Sequence, residues 1–150
     1  MYERPSLITY YLKIADVVAS RSTCIRHKIG AVAVRDKHIL AAGYNGASAG
    51  LPDCLHLGCL RDQLHIQSGK NVEVCRAVHA EQNLIIYSGM HSNSLKGATV
   101  YCTHSPCNLC AKMLINAGII EYAFSNDYAD TGYVDLFSIA GISVVKHAIG

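Results

Sequence analysis

Two segments, His79-Ala80-Glu81 and Pro106-Cys107-Asn108-Leu109-Cys110, decide how the rest of the chain is read. His79, Cys107 and Cys110 offer one imidazole and two thiolates, a donor set that suits Zn²⁺ in tetrahedral coordination. Three protein ligands leave a fourth position for water, which separates a catalytic site from a closed structural one. Zinc lowers the pKa of such a water from near 15.7 to about 7, so hydroxide becomes available at neutral pH. Glu81 stands two residues from His79. It can reach the same water without binding the metal, take its proton and return it to a leaving group.

Either segment alone is ambiguous. A lone C-x-x-C also serves as a redox pair or as half of a zinc ribbon. In this order, about 25 residues apart and with Pro106 before the first cysteine, the two match the H-x-E and P-C-x-x-C pattern of zinc nucleobase deaminases. A catalytically silent zinc-binding or regulatory module is the competing reading from another class. Such a module has no use for an unligated carboxylate at position 81.

The 150 residues suit a single domain over 1–150 with a substantial core. A content of 51% hydrophobic and 16% charged residues excludes a disordered chain. The net charge of +2 is too slight for a protein that mainly grips a nucleic-acid backbone, so no nucleic-acid partner is expected. Tyr2 to Ser20 mixes charged and apolar residues and does not read as a signal peptide. No apolar run approaches the roughly 18 residues of a membrane span, so a cytoplasmic location is expected. In that reducing compartment seven cysteines point to metal before disulfides.

Apolar residues at Leu7, Tyr10, Tyr11, Ile14, Val17 and Val18 give Ser6 to Ala19 an amphipathic helical period. Ile29 to Val34 and His38 to Gly43 read as a β-hairpin around Arg35-Asp36-Lys37. Gly43-Tyr44-Asn45-Gly46 at its exit is either a plain turn or a place where Asn45 meets a ligand. Ala47 to Val78 is long for a connection and should be functional or internally braced. It holds Cys54, Cys59 and Cys75, with Cys24 shortly before the hairpin, and these suggest a second, closed Cys₄ zinc site. No C-x-x-C knuckle supports that set, and His56 and His65 compete as ligands. Helices are expected over Ala80–Tyr87, Pro106–Asn116 and Gly132–Ala140, and strands over Ala98–Thr103, Ile119–Phe124 and Ile142–Val145. This order puts His79, Glu81, Cys107 and Cys110 in the first turns of two helices, where the macrodipole favours negative charge. Cys102, inside a strand, reads as an ordinary buried thiol.

From about Ser20 to Val145 the chain resembles the deoxycytidylate deaminases of the cytidine deaminase-like superfamily. The resemblance rests on Arg21-Ser22-Thr23-Cys24, Gly43-Tyr44-Asn45-Gly46, His79-Ala80-Glu81-Gln82-Asn83, Thr103 to Lys112 and Ala117-Gly118-Ile119. It implies an α/β fold, a three-layer α/β/α sandwich on a five-stranded mixed sheet. It implies dCMP as substrate, attack at C4 of cytosine, and Glu81 protonating N3 and then the departing ammonia to give dUMP. It further implies sugar contact by Asn45, main-chain contact to the pyrimidine edge near Ala80 and Ser105, and a structural zinc on Cys24, Cys54, Cys59 and Cys75.

Several relatives carry a basic residue nine positions after the catalytic glutamate, where this chain has Met90. Arg26, Lys28, His91 and Tyr128 remain as phosphate contacts, and dCTP or deoxycytidine stand as alternative substrates. Four thiolates on Zn²⁺ also leave a local charge surplus that Arg26, Lys28 or Arg76 would offset. Family members commonly form hexamers and respond to dCTP and dTTP. Tyr10, Tyr11, Tyr122 and Tyr133 are candidates both for an oligomer interface and for the core of one subunit. A tRNA adenosine deaminase is disfavoured because the chain has no basic stripe.

Overall fold

A computed structural model describes residues 2–149. The chain runs α1 (Leu7–Ala19), β1 (Gly30–Arg35), β2 (His38–Tyr44), β3 (Gly46–Ala47), α2 (Cys54–Leu57) and α3 (Leu60–Gln63). It continues through a 3₁₀ turn at Val72–Val74, β4 (Ala77–Val78), α4 (Ala80–Met90), β5 (Thr99–His104), α5 (Asn108–Ala117), β6 (Glu121–Asn126), α6 (Tyr133–Ala140) and β7 (Ser143–Lys146). Five strands form one mixed sheet in the order β2-β1-β5-β6-β7. β1 is antiparallel to both β2 and β5, whereas β6 runs parallel to β5 and β7.

Alternation along β1 builds the three layers. Val32 and Val34 point to one face, where Tyr11 and Ala15 of α1 cover them. Ala31 and Ala33 point to the other, against Leu84 of α4, Leu114 of α5 and Phe137 of α6. The sandwich expected from the resemblance is the fold observed. Ser6 caps α1 by accepting the Thr9 amide, and Gly118 ends α5 in the left-handed conformation. The hairpin turns on Asp36 and Lys37, both at positive φ, between the paired Arg35 and His38.

Two glycines set how closely helices lie on the sheet. A Cβ at Gly30 would stand 2.2 Å from the Ala15 carbonyl oxygen of α1. One at Gly43 would stand 2.6 Å from both the Ala80 carbonyl oxygen and the Leu84 nitrogen of α4. Gly43 therefore does more than make a turn: its missing side chain lets the start of α4 rest on β2. The long connection is less irregular than its sequence suggests. Its ends are tied by the two-stranded sheet of β3 and β4, with Gly46 opposite Val78 and Ala47 opposite Ala77. Two-residue strands lie below the length at which alternation can be read.

Candidate active site

His79 is the N-cap of α4 and Cys107 the N-cap of α5. Both ligands thus sit one position earlier than a first-turn placement, and Pro106 precedes the helix it was expected to begin. The cap position has a use here. Cys107 Sγ accepts the Cys110 amide at 3.5 Å, so an unpaired helix-start N–H stabilises a thiolate. The His79 amide is taken up by Gln82 Oε1 at 2.8 Å, which fixes the entry into α4.

His79 Nδ1 lies 3.4 Å from Cys107 Sγ and 3.3 Å from Cys110 Sγ. The three donor atoms all fall within 4.8 Å of one another. Tetrahedral zinc with bonds of ~2.0–2.3 Å needs donors roughly 3.3–3.8 Å apart, so the chemistry and spacing of this set fit zinc. The hydrogen bond from Cys110, joined by that from His79, holds Cys107 down to about 4 against the effect of burial. The same bond, with burial, pushes Cys110 well up. One thiolate forms readily and the second needs a neighbouring cation, which a divalent metal supplies.

Glu81, on the first turn of α4, is 4% exposed, and burial pushes its pKa up. Beneath it the Tyr122 hydroxyl lies 3.0 Å from Oε1 and 2.8 Å from the His104 carbonyl oxygen. Cys102 Sγ is 3.6 Å from the same carboxylate oxygen. Tyr122 is fully buried, which settles it as core within the chain; Tyr11 and Tyr133 are buried too, and Tyr10 is half exposed.

One cavity opens onto this group, lined by His79, Ala80, Glu81, Asn45, Ser105, Cys107, Tyr128 and Arg26 among others. Asn45 is buried and heavily bonded: its Oδ1 accepts from Ser22 and from the Ile29 amide, and its Nδ2 donates to the His27 carbonyl. It braces the segment before β1 and has one N–H left. Ser105 Oγ accepts the Tyr128 amide at 2.7 Å, joining two of the expected contacts. Arg26 is tied to Asp62 and to the Ile66 carbonyl, with Nη1 unpartnered. Lys28 is exposed and lies outside this lining.

Cys24, Cys54, Cys59 and Cys75 all line the same cavity. No three of them converge as the His79 group does, among the described residues. Burial and the other three thiols raise Cys54, and Arg76 acts the other way. His56 points instead to Asp53 at 3.0 Å. The sequence reading missed Arg61, which is 5% exposed, lines the cavity and leaves Nε without a partner. An arginine inside a four-residue helix carries no periodic signal. Met90 stands 68% exposed at the far end of α4, about 13 Å along the axis from Glu81 at 1.5 Å per residue. A cation at position 90 would not reach the cavity of its own chain.

The family model for the cytidine and deoxycytidylate deaminase zinc-binding region matches residues 5–126. ComE operon protein 2 of Bacillus subtilis is 38% identical over 143 residues, covering 95% of this chain and 71% of that protein. The deoxycytidylate deaminase of Saccharomyces cerevisiae is 34% identical over 142 residues, 94% of this chain but only 45% of the yeast protein. The chain therefore spans less than half of that relative. The crystal structure of dCMP deaminase from cyanophage S-TIM5 in complex with dCMP and dUMP superposes with a TM-score of 0.79 at 30% identity, over 97% of this chain and 100% of that one. Together with the His79, Cys107 and Cys110 geometry, these matches show that the chain belongs to the cytidine and deoxycytidylate deaminase zinc-binding family.

Proposed function

We propose that this chain hydrolyses dCMP to dUMP and ammonia. The observation that carries the reading is a buried carboxyl, Glu81, beside three converging zinc ligands, of which His79 and Cys107 line the same cavity as Glu81. His79, Cys107 and Cys110 would hold the metal, which when bound supplies a water acidic enough to act as nucleophile near neutral pH. Glu81 takes a proton from the attacking water and delivers it to N3 of cytosine. It then carries that water's second proton, from the new hydroxyl on C4, to the amino group that leaves as ammonia. Burial raises the pKa of Glu81, which favours its collecting the proton. Main-chain groups at Ala80 and Ser105 hold the pyrimidine edge, and the remaining N–H of Asn45 meets the sugar.

The phosphate is held by Arg61 and Arg26, with Tyr128 beside them and Lys28 no longer a candidate. Arg61 Nε and Arg26 Nη1 are buried donors without protein partners, and a phosphomonoester satisfies such groups. This favours a nucleotide over deoxycytidine. Cys24, Cys54, Cys59 and Cys75 carry a structural zinc, supported by their presence on one cavity wall. Arg26 and Arg76 lie near enough to influence them, because Arg26 feels the charge of Cys59 and Cys54 feels that of Arg76.

Exposed Ile86 and Met90 on α4, with part-exposed Leu109 and Met113 on α5, support a homo-oligomer, a hexamer by family resemblance. dCTP and dTTP as effectors rest on that resemblance as well. We assign 1–150 as one catalytic domain acting in the cytoplasm, in keeping with seven free thiols.

The test is zinc per chain measured beside turnover of dCMP, dCTP and deoxycytidine. Arg61→Met is expected to raise KM for dCMP about 10–100-fold, the worth of one charge-assisted hydrogen bond, and to leave deoxycytidine unaffected. Equal KM values for dCMP in wild type and variant would remove Arg61 from the phosphate site. No turnover by a zinc-loaded chain on any of the three would overturn the reading itself.

A further inference from the structure

The geometry points to Tyr122 as the residue that fixes the orientation of the Glu81 carboxyl, a positioning role that rests on reading Glu81 as the proton carrier. The terminal torsion of a glutamate is soft, so burial alone leaves the carboxyl plane free to turn. Here one oxygen is pinned. Tyr122 Oη lies 3.0 Å from Glu81 Oε1 and the Cys102 thiol 3.6 Å from it, the shorter contact being the better hydrogen bond.

Tyr122 can serve as a post because its ring is fully buried and packed between other rings. It stands on β6, with ring centroids 5.8 Å from Phe137 and 6.3 Å from Phe124. Its hydroxyl also reaches the His104 carbonyl at 2.8 Å. His104 ends β5, three residues before Cys107, so one oxygen atom touches both the strand that delivers α5 and the acid carried by α4. The proton carrier and two of the three zinc ligands, Cys107 and Cys110, come from different helices, and Tyr122 registers one helix against the other. The hydroxyl carries one proton. It donates it to Oε1 when the carboxyl is ionised, and to the His104 carbonyl while accepting from the carboxyl when Glu81 is protonated, so Oε1 is held in both states.

Tyr122→Phe keeps the ring and deletes only this oxygen. In the zinc-loaded protein with dCMP, kcat is expected to fall about 10–100-fold, the range in which misplacing a catalytic group acts. KM and zinc per chain should stay at wild-type values. A crystal structure of the metal-free variant should show the Glu81 carboxyl turned or split between orientations, a readout that does not depend on turnover. An unchanged kcat, or one wild-type Glu81 orientation in the variant, overturns the proposal. Glu81→Gln is measured alongside. If it keeps full turnover, the proton-carrier reading fails, and the Glu81 orientation in Tyr122→Phe still decides the present proposal.

Discussion

Two groups of soft ligands meet at one cavity, all but Cys110 on its wall, and they differ in what holds them. His79 and Cys107 are helix caps, and Cys110 lies on the first turn of α5, so long elements packed on the sheet bring their donor atoms within 4.8 Å. Cys54 and Cys59 instead begin two helices of four residues each, Cys75 follows a 3₁₀ turn, and Cys24 sits in a connection. Their common location is a cavity wall without mutual convergence. A site built on rigid elements is organised before its metal arrives; one built on short elements takes its order from the metal.

The largest contrast comes from deleting one ligand on each side. Cys110→Ser is expected to lose the catalytic zinc and reduce dCMP turnover to background, while the far-ultraviolet spectrum stays native because α5 is held by Ala111 and Leu114 in the core. Metal content and turnover check it. A variant that keeps this zinc with only two of its three protein donors would show that the metal is held elsewhere.

Next in size is the support beneath the rigid side. At Gly43 a methyl group would press on the backbone of α4, where neither contacting atom can swing aside. Gly43→Ala is expected to cost about 1–3 kcal/mol of stability and to lower kcat, because α4 carries Glu81. Gly46→Ala is the control, since its nearest neighbour is the Thr23 hydroxyl at 3.1 Å, a side-chain atom able to shift. Urea unfolding and kinetics on both separate the two. Equal effects would mean that close helix–sheet approach is not what places the acid.

Cys54→Ser tests the other region and should act less on chemistry. One zinc per chain is expected to go, proteolysis within 47–78 should quicken, and KM should rise more than kcat falls. The zinc on His79, Cys107 and Cys110 should remain. Loss of both metals together would show that the two groups form one cooperative unit.

The same contrast explains what the sequence could and could not tell. The three ligands and Glu81 were legible because helix starts impose fixed spacings, and a strand–helix–strand order places those starts at one end of the sheet. The sandwich was expected from the family resemblance, and the helical period of Ser6 to Ala19 and the order of helices and strands agreed with it. Arg61 and Tyr122 were not legible, since neither belongs to a motif. Arg61 lies in a helix too short for a period, and Tyr122 acts through a hydroxyl whose partners, Glu81 and His104, are 41 and 18 residues away. Lys28 looked like Arg26 in the sequence, yet two residues along that connection reverse what faces the cavity. Met90 lies away from the cavity of its own chain because nine helical residues after Glu81 amount to length along α4.

The smallest effect lies at the seam between the two regions. His27 packs against the rings of His104 and Tyr128, reaches Ser68 Oγ at 3.2 Å, and lends its carbonyl to Asn45. Burial, then the charges of Arg26 and Arg61, lower its pKa below the ordinary 6.5. The unfolded chain therefore binds a proton at His27 more readily than the folded one, and stability rises with pH through that window. Above the unfolded value His27 is neutral in both states and contributes nothing. As pH falls below about 6.5 its penalty grows, levelling once the folded form is protonated too. His27→Gln keeps a polar partner for Ser68 and removes that share, so its stability should decline less than wild type between pH 7 and 5. His104, lowered by burial and by His27, keeps part of the slope. Acid release of metal is common to both proteins, so the difference between their urea curves reports His27 together with its effect on His104; parallel curves would refute the assignment. Repeated in the Cys54→Ser background, the difference should shrink, because a loosened 47–78 segment exposes the imidazole and frees Arg61 to move away. An undiminished difference would mean that the sheet side alone buries His27, and that the flexible region ends before the seam.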